Sequence, residues 1–281
     1  MTVRLTQASA PLMRSIAVRD EFGAEREVAI PAERALTVFV DKREIVTLMT
    51  LGGAPEALAI GYLRNQRLVE RLEDIAAVQV DWETDSVAVT TTRSADDLDE
   101  RMGRRTVTTG CGQGTMFGDL LEEIDRVSLP AEGRLDEATL HGLLDAVRHH
   151  ETIYKQAGAV HGCALATNAG DTSAILMFVE DVGRHNAIDT IAGWMWLHGV
   201  DGADKIFYTT GRLTSEMVIK SAQMGVPIVV SRSGITQMGY ELARQLGLAL
   251  FGRATNRHFL CYTGFERFEA QPEPARPAAK E

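Results

Sequence analysis

A lone cysteine, Cys111, lies in the glycine-rich stretch of residues 106–117, TVTTGCGQGTMF. Three glycines surround it: Gly110, Gly112 and Gly114. Glycine adopts positive φ angles at little steric cost and adds no side-chain bulk, so the stretch presents the thiol rather than packing it. Arg104 and Arg105 just upstream favour the thiolate, which is the nucleophilic form of cysteine. These features alone are compatible with an ordinary nucleophile or a redox sensor.

The other two cysteines are predicted to be structural. Cys163 and Cys261 lie in apolar, strand-like segments, HGCALA and HFLCYTG, where cysteine behaves as a small core residue. Three widely spaced cysteines fit free thiols in a reducing compartment better than a disulfide framework. The sequence has no CxxC pair and no His/Cys cluster at the spacing of zinc ligands. We therefore expect no permanent metal in the protein.

Polar and basic residues cluster in three loops, each between a strand-like and a helix-like segment. The residues with the clearest binding chemistry are Arg184, His185, Asn186, Gly211, Arg212, Ser231 and Arg232. Small residues let backbone N–H groups approach a ligand, helix N-termini attract anions, and arginine offers paired donors to phosphate oxygens. Helix capping explains any one loop, but an arginine in all three favours a site for a phosphorylated ligand. No loop has the GxxxxGK[ST] pattern of a P-loop nucleotidase.

The elements around these loops predict an α/β domain over residues 135–265. A long helix is expected at 135–157, followed by three strand–loop–helix units and a final strand pair. The expected strands cover residues 174–178, 205–208, 227–230, 248–251 and 258–262. Such units are typical of a mostly parallel, buried sheet flanked by helices, with ligands bound at the carboxyl ends of its strands. The three loops should therefore meet at one edge of the sheet.

A smaller α+β module is expected before this domain, over residues 28–105. A helix begins at Pro55, and the strand-like segments cover residues 28–30, 36–40, 45–51, 76–82 and 86–92. The polar turn at residues 41–44 predicts a hairpin between the segments at 36–40 and 45–51. Residues 1–27 show weak periodicity and are predicted to be a poorly ordered lead-in. Residues 106–134 hold the cysteine loop and a following helix. Residues 266–281 are predicted to be a disordered tail.

Composition and charge exclude several classes of function. The net charge of −10 disfavours general nucleic-acid binding, which needs a basic face to neutralise phosphates. No apolar run approaches the length needed to span a bilayer, and the N-terminus lacks the apolar stretch of a secretory signal. We therefore expect a cytoplasmic protein with neither a nucleic-acid nor a membrane partner.

Five strings resemble the FdhD family of formate dehydrogenase accessory sulfurtransferases. They are EDVGRHNAID at 180–189, TGRLTSEMVIKSA at 210–222, PIVVSRSGIT at 227–236, HGCALA at 161–166 and FGRATNRHFLCYTG at 251–264. The EDVGRHNA string is highly specific. The resemblance implies an α+β protein overall, with a cytidine-deaminase-like C-terminal domain in which helices flank a mixed sheet, and it implies a cytoplasmic homodimer. The chain lacks the HxE and PCxxC elements of zinc deaminases, so nucleobase deamination is disfavoured.

The resemblance also implies a function. Such proteins accept sulfur from a cysteine desulfurase as a cysteine persulfide. They transfer it to the molybdenum or tungsten bis(molybdopterin guanine dinucleotide) cofactor before that cofactor enters formate dehydrogenase. On this likeness Cys111 carries the persulfide. The chemistry of the residues themselves adds the three arginine loops, which would hold pyrophosphates, and His185 and Asn186, which would contact base or pterin edges. A further loop would bind the guanine dinucleotide through Phe251, Gly252, Arg253, Ala254, Thr255, Asn256 and Arg257.

The cysteine loop departs from the family pattern in one respect. The family typically carries CxxC, whereas this chain has Cys111-Gly112-Gln113-Gly114. A mechanism that needs a partner thiol in the same loop is therefore excluded, which leaves a single-cysteine relay. Two alternatives stay open: a chaperone that binds and delivers the cofactor without transferring sulfur, and a nucleotide-binding regulator.

Overall fold

The computed structural model describes residues 3–92, 127–150, 152–170 and 173–271 of the chain. Cys111, its glycine-rich stretch and nearly all of the helix predicted to follow it lie outside the described residues. The two largest sheets of the described residues are each packed against helices. This arrangement confirms the predicted α+β class, with a mixed sheet flanked by helices in the C-terminal domain, while the likeness to a cytidine deaminase stays a prediction.

The N-terminal strands are β1 (Arg4–Leu5), β2 (Met13–Arg19), β3 (Glu25–Pro31), β4 (Arg34–Val40), β5 (Arg43–Thr50), β6 (Ile75–Asp81) and β7 (Ser86–Thr91). Five of them form one sheet in the order β1-β6-β7-β4-β5. β4 and β5 form the predicted hairpin, in which Asp41 and Lys42 have φ angles of 46° and 72°. Positive φ at both central residues gives the two-residue turn whose twist matches antiparallel strands. Local turn chemistry therefore sets this hairpin.

The prediction of a poorly ordered lead-in over residues 1–27 is wrong for the part that the structure describes. β1 pairs with β6, and β2 and β3 form a separate antiparallel hairpin, so the predicted boundary after residue 27 falls inside β3. Between these strands the N–H of Ala8 donates to Glu56 at 2.8 Å, and the indole N–H of Trp82 donates to the Ala8 carbonyl at 3.1 Å. The sequence signal is weak because most side chains of the β2–β3 hairpin are exposed or half-buried, and contacts distant in sequence order the segment.

The predicted helix at 135–157 is two helices. After α1 (Pro55–Asn65), which begins at the predicted proline, the chain forms α2 (Glu137–His149) and α3 (Ile153–Ala157). His150 leaves helical geometry with a ψ of 132°, and the Thr152 hydroxyl caps α3 by accepting from the backbone N–H of Lys155 at 3.1 Å. A threonine that bonds the backbone in this way favours a helix start over a helix interior.

The C-terminal strands are β8 (Leu135–Asp136), β9 (His161–Thr167), β10 (Ile175–Asp181), β11 (Lys205–Thr209), β12 (Ile228–Ser231), β13 (Ala249–Thr255), β14 (His258–Thr263) and β15 (Phe268–Glu269). Strands β9 to β14 form one sheet in the order β10-β9-β11-β12-β13-β14. β9 runs antiparallel to both β10 and β11, so the prediction of a mostly parallel sheet is wrong. Because β9 runs opposite to both of its neighbours, β10 runs in the same direction as β11 and as the strands parallel to it, β12 and β13. Their carboxyl ends therefore share one edge, as predicted.

Helices cover both faces of this second sheet. α4 (Arg184–His198), α5 (Ser215–Gln223) and α6 (Gln237–Leu246) cover one face, and α2 covers the other. Successive residues of β9 alternate between the faces, with Cys163 on the side of α4 and Ala164 on the side of α2. No helix among the described residues combines the length and the apolar character needed to cross a bilayer.

Helix α1 joins the two halves by packing against α4 at a glycine contact. A Cβ atom at Gly61 would lie 1.7 Å from the carbonyl oxygen of Asp189, and one at Gly193 would lie 1.9 Å from that of Ala57. Only glycine permits this approach. Because the first sheet packs against α1 as well, the helix is buried on nearly all sides. Arg64 fixes the contact by donating to carbonyl oxygens of α4 and α5, at 2.9 and 3.2 Å respectively.

The predicted disordered tail is ordered through Glu269. Phe265–Arg267 forms a 3₁₀ turn, and β15 pairs with β8. The guanidinium of Arg267 is buried and donates to the carbonyl oxygens of Gly247 and Gly133 at 2.9 and 3.1 Å. These contacts link the tail to segments far away in sequence, which explains why local composition misplaces its start. The residues after 271 lie outside the described part of the chain.

Candidate cofactor-binding site

The candidate site lies at the edge of the second sheet where β10, β11, β12 and β13 end and β9 begins. The three arginine loops follow β10, β11 and β12, and residues 251–257, predicted as a loop, form the second part of β13 and the two-residue turn to β14. The structure therefore brings together at one edge all four segments that the sequence selects.

Gly211 and Ser231 hold neighbouring loops together at this edge. A Cβ atom at Gly211 would lie 2.8 Å from Cδ of Arg184, so a larger residue there would displace the Arg184 side chain from its path across the β11 loop. The Ser231 hydroxyl donates to the Gly211 carbonyl at 2.7 Å and accepts from the backbone N–H of Ser233 at 2.9 Å. These two predicted site residues shape the loops, and the buried Nε of Arg184 has no hydrogen-bond partner among the described residues.

Arg212 and Arg232 are exposed at the same edge. The backbone N–H of Arg232 donates to the carbonyl of Thr209 at 3.0 Å, which ties the β12 loop to the end of β11. The guanidinium of Arg232 lies 5.3 Å from the ring centre of Tyr154 in α3, within the range of a cation–π contact. Both arginines are placed to meet an anion, as their sequence context predicts.

His185 and Asn186 point into the protein. The Asn186 amide donates to the carbonyl of Met49 at 2.6 Å and to Asp181 at 2.8 Å, and Nε2 of His185 lies 3.3 Å from a carboxylate oxygen of Glu216. Burial, and then the nearby positive charges of Lys220 and Arg184, lower the pKa of His185 to about 2, so the imidazole is neutral. Both side chains organise the loop from within, and their contact with base or pterin edges stays a prediction.

Residues 251–257 fall into three groups. Phe251 and Gly252 are buried, and a Cβ atom at Gly252 would lie 2.7 Å from the ring of Tyr262. Arg253 and Arg257 are exposed, and Arg257 lies 3.4 Å from Nδ1 of His141. The remaining three residues, Ala254, Thr255 and Asn256, line a cavity.

This cavity has a volume of about 390 Å³, which lies within the range of small-molecule sites. Aromatic and basic side chains give it its character: Tyr154, Phe178, Tyr208, Arg148, Lys155 and Arg232. Glu180 fixes one wall, because its carboxylate accepts from the backbone N–H groups of Ile153 and Tyr154 at 2.5 and 3.1 Å. Flat rings beside guanidinium and ammonium groups suit a ligand with an aromatic base and an anionic part.

Sequence reasoning misses the cavity residues contributed by α2 and α3. Arg148, Tyr154 and Lys155 fall inside the segment that the periodicity predicts as one continuous helix. The break at His150 and Thr152 brings α3 beside the ends of the strands. The threonine cap is the one local signal that could have indicated this break.

His161, the first residue of β9, is a further residue of this edge that sequence reasoning does not select. Burial, and then the charges of Arg184, Arg212 and Arg232, lower the pKa of its imidazole. All three predicted arginines are therefore close enough to act on one side chain. This convergence supports the prediction that the three loops form a common site for an anion.

Two of the three cysteines are poor nucleophiles. Burial raises the pKa of Cys163 to about 12, and its thiol donates to the Thr209 hydroxyl at 3.3 Å. Burial also raises the pKa of Cys261 to about 11. Both therefore stay protonated near neutral pH, which confirms their predicted structural character. In the described ranges no group of three His, Cys, Asp or Glu side chains could hold a metal ion.

Comparison with known sequences decides the family. The sequence model of the FdhD/NarQ family matches residues 31–269, which include the second sheet with the edge just described and four of the five strands of the first sheet. The chain belongs to the FdhD/NarQ family.

Relatives named sulfur carrier protein FdhD match most of the chain. The protein of Wolinella succinogenes is 27% identical over 240 residues, covering 85% of this chain and 82% of that protein. The protein of Bacillus pumilus is 29% identical over 241 residues, covering 84% of this chain and 88% of that protein. The protein of Bacillus subtilis is 28% identical over 258 residues, covering 89% of this chain and 97% of that protein. The crystal structure of a proposed formate dehydrogenase accessory protein from Desulfotalea psychrophila has the same fold. It aligns with a TM-score of 0.73 at 26% identity, covering 92% of this chain and all of that one.

Proposed function

We propose that this FdhD/NarQ chain is a sulfur carrier. It takes sulfur from a cysteine desulfurase as a persulfide on Cys111 and transfers it to the molybdenum or tungsten bis(molybdopterin guanine dinucleotide) cofactor, needed for formate dehydrogenase activity. The observation that carries the proposal is the match of more than four fifths of the chain to relatives named sulfur carriers. Since the thiols of Cys163 and Cys261 have raised pKa values, Cys111 is the remaining candidate for the sulfur-bearing group.

The chemistry needs only one thiol. A cysteine with an unperturbed pKa of about 8.5 is only a few per cent thiolate at neutral pH, and neighbouring arginines such as Arg104 and Arg105 increase that fraction. The Cys111 thiolate attacks the outer sulfur of the donor persulfide, and the donor cysteine leaves as a thiolate. In the second transfer the S–S bond on Cys111 breaks and its electron pair returns to Cys111, while the metal of the substrate supplies the pair for the new metal–sulfur bond. Gly114 in place of a second cysteine is compatible with both steps.

The cavity provides a place for one nucleotide arm of the substrate. Tyr154, Phe178 and Tyr208 offer ring faces on which guanine stacks, and Arg232 stands at the mouth where a pyrophosphate follows the ribose. Arg184 and Arg212 extend the positive charge along the same edge. The finding that supports this placement is the convergence of three arginine charges beside a cavity lined by aromatic rings.

The proposal also covers the cellular location of the protein, its oligomeric state and its protein partners. We propose that the protein acts as a cytoplasmic homodimer, with a cysteine desulfurase as donor and formate dehydrogenase as client. The name of the Desulfotalea psychrophila protein, a formate dehydrogenase accessory protein, supports the choice of client.

Loss of the Cys111 thiol is expected to abolish the biological activity. In a bacterial strain that lacks its own sulfur carrier, the wild-type chain should restore formate dehydrogenase activity, and Cys111→Ala should restore essentially none. Cys261→Ala is the matched control and should restore wild-type levels. A Cys111→Ala variant that supports full activity would favour the chaperone, which delivers the cofactor without handling sulfur.

GDP, which represents one nucleotide arm, is expected to stabilise the protein. Saturation at about 100 times Kd adds about 2.7 kcal/mol to the free energy of unfolding, which is a measurable rise in Tm. Arg232→Ala should weaken GDP binding about tenfold or more, because a charge-assisted hydrogen bond contributes about 1.5–3 kcal/mol. Arg26→Ala makes the same charge change on the exposed β2–β3 hairpin and should bind GDP normally. An unchanged Tm at saturating GDP would count against the nucleotide-arm assignment.

A further inference from the structure

His161 stands between two of the loops that form the site. In the β9–β10 pairing it lies opposite Asp181, the last residue of β10. On the other side, Gly162 and Thr210 continue the β9–β11 pairing. The N–H of Gly162 donates to the Thr210 hydroxyl at 3.0 Å, and the N–H of Thr210 donates to the Gly162 carbonyl at 2.9 Å. The same register, continued by one residue, pairs His161 with Gly211, whose α-carbon lies beside the Arg184 side chain.

The alternation of β9 places His161 on the same face as Arg184. Cys163, two residues on, packs on the α4 side of the sheet, whereas Gly162 lines the cavity on the α2 side. The imidazole is half-buried, so it is accessible at the edge of the sheet yet shielded enough to feel nearby charges. His161 therefore lies on the opposite side of the β9 edge from the cavity, beside Arg184.

Positive charge surrounds this imidazole. The charged and titratable groups around it are Arg184, Arg212, Arg232, His185 and Asp181. His185 is neutral, and the carboxylate of Asp181 is buried, where it accepts from Thr50, Leu51, Gly183 and Asn186. Burial, and then the charges of the three guanidinium groups, hold the pKa of His161 below its ordinary value.

We propose that His161 is a further binding residue for the anionic part of the ligand, and that its imidazole takes up one proton from solvent when the anion binds. This inference rests on the proposed function, because it assumes that the arginine loops receive a pyrophosphate. In the free protein a charged imidazole would be repelled by the three arginines. A bound anion offsets their charge, and the imidazolium then adds an N–H donor aimed at the same oxygens.

The sign of the pH dependence follows from linkage. The protein–anion complex binds more protons than the free protein, so affinity rises as pH falls from above the bound-state pKa of His161 to below its free-state pKa. The terminal phosphate of GDP takes up its own proton at about pH 6, which acts in the opposite direction. Comparison with a variant that lacks the imidazole isolates the contribution of His161.

The test is an NMR titration of the imidazole C–H resonances in the full-length protein, free and saturated with GDP or with inorganic pyrophosphate. The midpoint of the His161 titration is expected to rise by about one pH unit on binding. This rise corresponds to anion binding that is about tenfold tighter at a pH below the free-state midpoint than at a pH above the bound-state midpoint. His161→Asn identifies the resonance and should remove this part of the pH dependence. His198→Asn is the control, since His198 lies at the other end of α4, about 21 Å from its start.

Each outcome decides something separate. GDP that binds without moving the His161 midpoint overturns the inference and leaves the nucleotide-arm proposal in place. Pyrophosphate that raises the midpoint while GDP fails to bind supports the inference and counts against the nucleotide arm. If neither probe moves the midpoint, the inference is wrong. Because the resonance of the wild-type protein is measured directly, an unfolded variant does not obscure the result.

Discussion

Replacing Lys220 with methionine is expected to lower the free energy of unfolding by about 3–5 kcal/mol. The ammonium of Lys220 lies 2.8 Å from a carboxylate oxygen of Asp189, and the two side chains are 1% and 0% exposed. Asn65 of α1 donates to the other oxygen of Asp189 at 2.6 Å. Methionine keeps the length and apolar stem of lysine but leaves the Asp189 carboxylate without its countercharge in the core.

The loss of stability should be smaller at acid pH. Burial raises the pKa of Asp189 even with Lys220 present, and removal of Lys220 raises it further. A folded-state pKa above the unfolded value means that the folded variant binds more protons, so its stability falls as pH rises. The difference between wild type and Lys220→Met should therefore narrow as pH falls through the raised pKa of Asp189.

The midpoint of urea unfolding, followed by tryptophan fluorescence, measures this effect. Arg71→Ala serves as the control because it breaks a surface ion pair with Asp74 and should cost less than about 1 kcal/mol. The double variant Asp189→Asn/Lys220→Met should regain part of the loss, since it removes the buried charge as well as its partner. A Lys220→Met protein as stable as the Arg71→Ala protein would show that the buried pair is not needed to neutralise Asp189.

The parts of the fold that were predictable depend on local chemistry. Asp41 and Lys42 lie in a polar turn between two apolar runs, and the hairpin forms there with the positive φ angles that such a turn requires. The arginine loops follow apolar strands and precede helices, and the shared direction of β10, β11 and β12 brings the loops together. Strand direction and loop chemistry were sufficient to locate the edge that forms the site.

The parts that failed depend on contacts distant in sequence. Nothing near β9 indicates that it inserts between β10 and β11, because strand order is set by pairing rather than by periodicity. His185 and Asn186 have the same polar character as neighbouring loop residues. The Asn186 amide nevertheless faces inward, because it donates to the backbone carbonyl of Met49 in the first sheet. In the sequence Lys220 looks like an ordinary helix residue, although it pairs with Asp189, which lies 31 residues earlier in the chain.

The convergence of the cavity residues is also set by contacts distant in sequence. Arg232 was predicted from its loop, but Tyr154, which lies beneath its guanidinium, belongs to a helix that the periodicity merges with its predecessor. Glu180 opens the EDVGRHNAID string and lies in β10, where its carboxylate fixes α3 by accepting from two backbone N–H groups. The chemical types of the cavity residues are visible in the sequence, but their convergence requires the three-dimensional structure.

The second large effect concerns sulfur loading of Cys111. The Cys111→Ser variant is expected to lose the ability to accept sulfur completely, because a hydroxyl forms no persulfide and the other two thiols have raised pKa values. Cys261→Ala, which removes the less buried of these two thiols, should load sulfur as the wild type does. Equal loading of wild type and Cys111→Ser would place the sulfur on another residue.

Intact-protein mass spectrometry after incubation with a cysteine desulfurase and L-cysteine measures this loading directly. The sulfur-carrier account predicts that the wild-type chain gains the mass of one sulfur atom, that dithiothreitol removes the gain, and that Cys111→Ser shows none. A wild-type protein that gains no sulfur under conditions in which the desulfurase is active would contradict the account.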